Sequence, residues 1–431
     1  MLKLPDLAEK IFVTICLFLS TSGLVPVLLD SENAAGIPAD PYSPIFFSSI
    51  YLVTLLLILA RRRAFSYVVV KDVWIWLLVG LALASILWTV APDMTPRRSL
   101  LLLGTTLFGI YLATRYSLRE QLYLLAGTLS IVIFLSIIFA IALPSYGVMS
   151  VQESGVHAGA WRGIMTHKNG LGRLMVLSNM VFLLLSISSR QWRWFFGVNY
   201  ILSIALIVLS TSKTALTVFL TMTIMLPIYR AWRQNSSRVV PLTIAIILVA
   251  AGATTLLLDN LEVLGNVLGK DLTLSGRTDI WAIMWELIEQ RPLLGYGFNG
   301  FWRGWDSEVS AYIWRTLEWD CPYGHNGFLD LMAELGVVGL GLFIMSLTTA
   351  YLRGVRWLRL TRSIEGVWPL MCLTFLVLYN LSEGSLLATN SIFWILYVST
   401  IFSTAVEYDV AKSDSLHFTV QTEEWLEAAQ E

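Results

Sequence analysis

Runs of about twenty predominantly apolar residues recur along nearly the whole of this 431-residue chain, and a run of that length is what an α-helix needs to cross a hydrocarbon core. In lipid the backbone N–H and C=O groups find no outside partner, so a crossing segment must be a helix or part of a closed barrel. The runs are continuous rather than alternating, which selects helices. About twelve are predicted, near 11–29, 44–60, 73–91, 99–114, 121–142, 170–188, 195–210, 214–229, 240–258, 326–352, 367–382 and 390–406. The chain is therefore expected to be an all-α polytopic membrane protein. Only 14% of its residues are charged, against roughly 25% in soluble proteins, which excludes an ordinary soluble enzyme. A net charge of −1 gives no sign of a nucleic-acid partner.

The first run is followed by Asp30-Ser31-Glu32 rather than a small-residue cleavage site, so it is read as a span and not a removed signal. Most of the 29 lysines and arginines fall in connections on the side of the N-terminus, among them Arg61, Arg62, Arg63, Arg353, Arg356, Arg359 and Arg362. The positive-inside rule then puts both termini in the cytoplasm. The chain divides into helices 1–9 over residues 1–258, an outward loop over 259–324, helices 10–12 over 325–406, and an acidic, serine-containing tail over 407–431 expected to be solvated. Within the loop, Ile280, Trp281, Met284, Trp285, Leu287 and Ile288 fall at helical spacing after Ser275, a candidate N-cap. Such an amphipathic helix suits a membrane interface. Cys16, Cys321 and Cys372 form no spacing that implies a disulfide framework or metal site.

Basic and imidazole groups are costly near hydrocarbon unless they face a cavity or a partner. Four outward helix ends nevertheless carry them: Arg162 with His167, Lys168 and Asn169; Lys213 in the turn Ser210-Thr211-Ser212-Lys213; Arg277 at the start of the loop helix; and His325 beside Asn326 and Gly327. Cations at helix N-termini add to the positive end of the helix dipole, and an anion relieves that arrangement. Arg162, Lys168, Lys213 and Arg277 together could hold a pyrophosphate, provided the bundle brings them to one cavity. No acidic cluster suggests a divalent metal or other cofactor. Each residue also has a plainer reading: Arg162 and Lys168 as lipid-headgroup contacts, Lys213 as a snorkelling interface lysine, Arg277 paired with Asp279 or Glu286, and His325 as an interface histidine. His157 and His417 lack supporting neighbours and are read as solvated.

Gly276-Arg277-Thr278-Asp279-Ile280-Trp281, then Arg291-Pro292-Leu293-Leu294-Gly295-Tyr296-Gly297-Phe298, then His325-Asn326-Gly327-Phe328-Leu329-Asp330 and Glu334-Leu335-Gly336-Val337-Val338-Gly339 resemble in order and spacing the outward loop and following helix of the O-antigen ligase and polymerase family. Arg162-Gly163 with His167-Lys168-Asn169, and Ser210 to Ala215, are similar to motifs of its exopolysaccharide-polymerising branch. The resemblance implies transfer of an oligosaccharide from a polyprenyl pyrophosphate to an acceptor glycan at the outer face of the inner membrane, without nucleotide sugar or metal. It implies a phosphate-engaging role for Arg277 and an essential role for His325; His167, Asn326 and Arg291 are read as supporting residues. Lys213 stands where the ligases commonly have arginine, keeping the charge but losing the bidentate fork.

A pyrophosphate is already a good leaving group, so the site must chiefly stabilise phosphate charge and align, or deprotonate, the acceptor hydroxyl. Histidine with a pKa near 6.5 suits the second task. The leading expectation is an inverting polymerase of lipid-linked repeat units, with a chain-length regulator as a candidate partner. The rivals are a ligase that differs only in its acceptor, a flippase of the same lipid-linked sugars, and a peptidoglycan glycan polymerase. A flippase calls for charges along a path through the membrane, whereas these cations gather at one face.

Overall fold

A computed structural model describes residues 4–24, 43–151, 157–233, 277–318 and 320–428; among them it is helical, with one isolated bridge between Val148 and Trp161. The ninth predicted span, 240–258, and Ser275 lie outside the described residues. The helices are α1 (Leu4–Leu19), α2 (Ser43–Ala60), α3 (Arg62–Val69), α4 (Val73–Ala84), α5 (Thr95–Arg115), α6 (Leu118–Ala142), α7 (Lys168–Ser188), α8 (Arg193–Leu209), α9 (Lys213–Arg233), α10 (Arg277–Gln290), α11 (Glu308–Leu317), α12 (Gly327–Leu360), α13 (Trp368–Asn380) and α14 (Ile392–Ala428). Four of them, α6, α7, α9 and α12, are each long and apolar enough to cross a membrane, and α3 with α4, which meet at a 90° bend, make a fifth if counted as one span. The protein is a polytopic membrane protein, all-helical among the described residues.

Local sequence explains where several helices begin. Asp72 caps α4 by accepting the Ile75 N–H. Ser117 and Glu120 form a reciprocal capping box at α6, satisfying two amide donors that the first turn leaves without partners. The central helix is α7: 72% of its most apolar window is buried, against 33–44% in the other three long helices. It packs against α8, α9 and α6, with Leu171, Met175, Val176, Leu177, Val181 and Phe182 fully enclosed. Whatever stands at the first residues of α7 therefore stands over the middle of the bundle.

The long loop before α12 has a core of its own. Ile280, Ile283, Met284, Leu287 and Ile288 of α10 meet Tyr296, Phe301, Ile313, Trp314, Cys321, Met332 and Ala333. This corrects the interfacial expectation for α10. Its apolar stripe is consumed by the loop's own packing, Trp281 turns inward to donate to the Gly324 carbonyl, and only Trp285 of the two tryptophans is exposed.

A break in α12 holds that core to the bundle. Gly336 takes φ +65°, a left-handed conformation that a Cβ disfavours, and an added Cβ would also strike the Leu293 carbonyl. Around the break, the carbonyls of Ala333 and Glu334 accept from the amides of Tyr296 and Gly297, and the amides of Val337 and Val338 donate to Pro292 and Leu293. The segment 292–297 is thereby sewn to the opened helix, and Phe298 is held by the hydroxyls of Ser85 and Thr95. Two glycine-bearing stretches distant in sequence are the two sides of one joint.

The tail departs from expectation. Residues 407–428 continue α14 as helix, and its first turns pack on the bundle: Asp409 pairs with Lys71 at 2.6 Å, and Glu407 accepts the Leu118 amide.

Candidate functional site

The site is built around a carboxylate in the short connection between α13 and α14. Glu383 is 6% exposed, and four groups from three separate stretches of chain surround it. Asn169 Nδ2, in the first turn of α7, donates to Oε1 at 3.0 Å. The Tyr323 hydroxyl, at the end of the long loop, donates to Oε2 at 2.7 Å. Arg277 Nη2, at the start of α10, lies 3.7 Å from Oε1, and His325 Nδ1 lies 3.9 Å from Oε2. Asn169 Oδ1 also accepts from Ser212 Oγ at 3.0 Å, which joins the turn between α8 and α9 to the same network. The four sequence stretches that carried cations and imidazoles at helix ends thus meet at one end of the bundle, around a residue from a fifth.

His325 is presented unusually. It takes φ +50°, a left-handed conformation that costs a non-glycine residue of order 1–3 kcal/mol and persists only when the surroundings enforce it. They do so on both sides. Gly324 N–H is held by Asp330 Oδ1 at 3.0 Å, while Asn326 caps α12 by accepting from the amides of Phe328 and Leu329. Asn326 therefore positions its neighbour, and its own side-chain oxygen is spent on the cap. The imidazole packs on the Tyr323 ring, centroids 4.2 Å apart, and its Nδ1 is buried without a hydrogen bond.

Burial lowers the His325 pKa below its usual 6.5; Glu383 pulls the other way, and Arg277 and His167 add to the depression. The ring is a neutral base at neutral pH. Tyr323 is shifted upward by burial and then by Glu383, so it remains a protonated donor. His167 is lowered by burial and by His157; its Nδ1 accepts the Asn169 amide as the N-cap of α7. His157, expected to be solvated, stands edge-on to His167 with ring centroids 6.0 Å apart.

The proposed phosphate ligands divide. Arg277 is in the network. Lys168, 8% exposed, reaches Thr211 Oγ1 at 3.4 Å, and Lys213, exposed at the first residue of α9, is close enough to repel it. Two cations at two helix N-termini beside each other are unfavourable without an anion. Arg162 is committed differently: Nε donates to the Tyr146 carbonyl at 2.7 Å and Nη2 to the Ser145 carbonyl at 3.1 Å, so it braces the connection after α6. Arg291 does not belong to the cluster. It is exposed beyond the far end of α10 and lies over the Tyr296 ring at 5.0 Å, fourteen positions from Arg277, or about 20 Å along a helix.

Sequence reasoning missed Glu383, although Ser382-Glu383-Gly384-Ser385 puts a lone carboxylate between two apolar runs on the side of the cations. It also passed over Arg173, whose guanidinium lies 4.1 Å from the Phe393 ring inside the bundle. A charge one turn past Asn169 in an otherwise apolar helix was the available signal.

The family model described as O-antigen ligase matches residues 198–344, which include Lys213, Arg277 and His325 and stop short of Glu383. The exopolysaccharide production protein ExoQ of Rhizobium meliloti (strain 1021) is 23% identical over 287 residues; the match spans 64% of this chain and 64% of that protein's length. The chain is thus a multi-pass membrane protein whose residues 198–344 are similar to the O-antigen ligase family.

Proposed function

We propose that the protein is a metal-independent, inverting glycosyltransferase that polymerises polyprenyl-pyrophosphate-linked oligosaccharide repeat units into a surface polysaccharide. The observation that carries this reading is the meeting of His325 and Arg277 at one buried carboxylate, Glu383. The kinship with an exopolysaccharide production protein favours polymerisation over ligation. In this reading about twelve helices span the inner membrane, with both termini cytoplasmic and the His325 end facing outward.

With Nδ1 turned toward Glu383, Nε2 of His325 is left to take the proton of an acceptor hydroxyl. The hydroxyl oxygen attacks the anomeric carbon, the bond from that carbon to the phosphate oxygen breaks, and its electron pair departs on the pyrophosphate. Arg277 stabilises the charge developing there, with Lys168 and Lys213 beside it. Glu383 keeps the imidazole oriented and supports the imidazolium that forms, the part a carboxylate plays behind a catalytic histidine elsewhere. Its contact with Arg277 is long enough to be exchanged for phosphate oxygens when the donor arrives.

Purified protein given a lipid-linked repeat unit alone should yield a ladder of longer lipid-linked products. Transfer only when a lipid A core acceptor is added would make it a ligase, and neither product would end the reading. Orientation is checked with Glu308→Cys, whose parent side chain is 90% exposed. An impermeant thiol reagent should label it in intact spheroplasts; labelling only after lysis would invert the topology.

A further inference from the structure

Beside the Glu383 network lies a cavity of ≈ 220 Å³ lined by Asn299, Trp302, Tyr323, Asp330, Glu334 and the stretch from Gly384 to Thr389. About 10–15 Å³ of such space admits a water, so the volume is built for something larger. Tyr323 is the partition between the two: its ring lines the cavity while its hydroxyl donates to Glu383. Asp330 and Glu334 stand one turn apart on α12, before the break at Gly336. Asp330 Oδ1 accepts from Trp302 Nε1 at 2.8 Å and from Gly324 N–H, while among the described residues no donor occupies Oδ2. Glu334 sits against the Asn299 backbone amide, with Arg98 in its field. Arg98 reaches the cavity rim at Thr389.

We propose that this cavity is the subsite for a sugar ring of the acceptor glycan, adjoining the His325 base; the proposal rests on the glycosyl-transfer reading. Asp330 and Glu334 line the cavity where Arg277 lines the Glu383 network, so the anionic end of the donor finds its cation on the Arg277 side of Tyr323. A carboxyl group accepts from hydroxyls when ionised and both accepts and donates when protonated, and a polyol offers several hydroxyls on one rigid ring. Trp302 and Tyr323 supply aromatic walls against which the apolar face of a pyranose packs. The orientation follows from the chain itself, because the Gly324 amide that Asp330 holds immediately precedes His325. A ring anchored on Asp330 thus lies next to the residue that is to receive its proton.

The probe is the oligosaccharide freed from its lipid pyrophosphate by mild acid. Its binding to the detergent-solubilised protein is measured by saturation-transfer NMR, and polymer formation from the lipid-linked repeat is measured separately. Binding should weaken at least tenfold in Asp330→Asn and in Glu334→Gln and stay unchanged in Arg277→Ala. Glu334→Gln retains the side-chain shape, and thermal melting shows that each variant is folded. Undiminished binding in a folded Glu334→Gln would overturn the subsite, as would competition by inorganic pyrophosphate for the same NMR signal. Cavity-dependent binding with no polymer from wild type would uphold the subsite as a sugar site and sink the transfer reading.

Discussion

The bundle holds a buried carboxylate at each end, and the two are partnered in opposite ways. Glu9 of α1 takes Arg61 at 2.8 Å and Arg115 at 3.1 Å and accepts the Tyr111 hydroxyl, while Arg115 also reaches Asp6 at 2.9 Å. Glu383, equally buried, takes two neutral donors and leaves its two basic neighbours at 3.7 and 3.9 Å, with His325 Nδ1 unsatisfied. The first arrangement is a closed knot tying α1 to the junction of α2 with α3 and to the last residue of α5. The second keeps a base and a cation close without spending them. A buried charge that is fully paired holds helices together, whereas one that is loosely paired is ready to exchange partners with a ligand.

That contrast is open to direct attack. The largest effect belongs to the base: His325→Ala should lower turnover by roughly 10²–10⁴-fold, the range for general-base loss, with lipid-linked donor still bound. Arg277→Ala should fail at the donor phosphate, and Arg277→Lys should recover only part, since the fork is lost. If His325→Gln kept most activity, the general-base role would fall and alignment alone would remain.

Exchanging the carboxylates for amides sharpens the comparison. Glu383→Gln should cost about 10²-fold or more in rate, the scale on which losing a histidine-orienting carboxylate acts, with little change in melting. Glu9→Gln should do the reverse. Removing one partner of a buried ion pair costs about 3–5 kcal/mol of stability, while turnover of the surviving folded protein should stay near wild type. Thermal melting beside kinetics reads both, and equal loss of stability in the two variants would erase the distinction.

Smaller effects follow. Lys213→Ala should weaken activity about tenfold, matching one charge-assisted hydrogen bond of ~1.5 kcal/mol, and Lys213→Arg should retain it; equal rates for the two would make the lysine merely interfacial. The pH dependence carries a sign. Because the His325 pKa is depressed, the acidic limb of kcat/KM should lie below pH 6.5 and vanish in His325→Gln. Linkage runs the same way. Below that pH the unfolded chain, with an ordinary histidine, binds more protons than the native state, so this residue's contribution to stability falls as pH drops.

Much of the architecture was legible. The apolar runs at 44–60, 121–142 and 170–188 became Ser43–Ala60, Leu118–Ala142 and Lys168–Ser188, because in lipid an apolar run has little choice but helix. Cations gathered at one set of helix ends were legible for the same reason: a charge in the wrong solvent stands out. The loop helix was found, yet its apolar face was assigned to the membrane, since periodicity states that a stripe is buried and not against what.

The sequence alone therefore determined most of the described bundle helices, the polar end of the bundle, and His325 and Arg277 as its candidates. Only the tertiary structure decided that they share Glu383, that Arg162 is spent on backbone carbonyls and Arg291 lies far away, and that α12 opens at Gly336 to receive the loop. The physical reason is range. Solvent preference and helical period are properties of neighbouring residues, whereas the partner of a buried charge is set by which helices touch, and Asn169 and Glu383 meet across more than two hundred residues of chain.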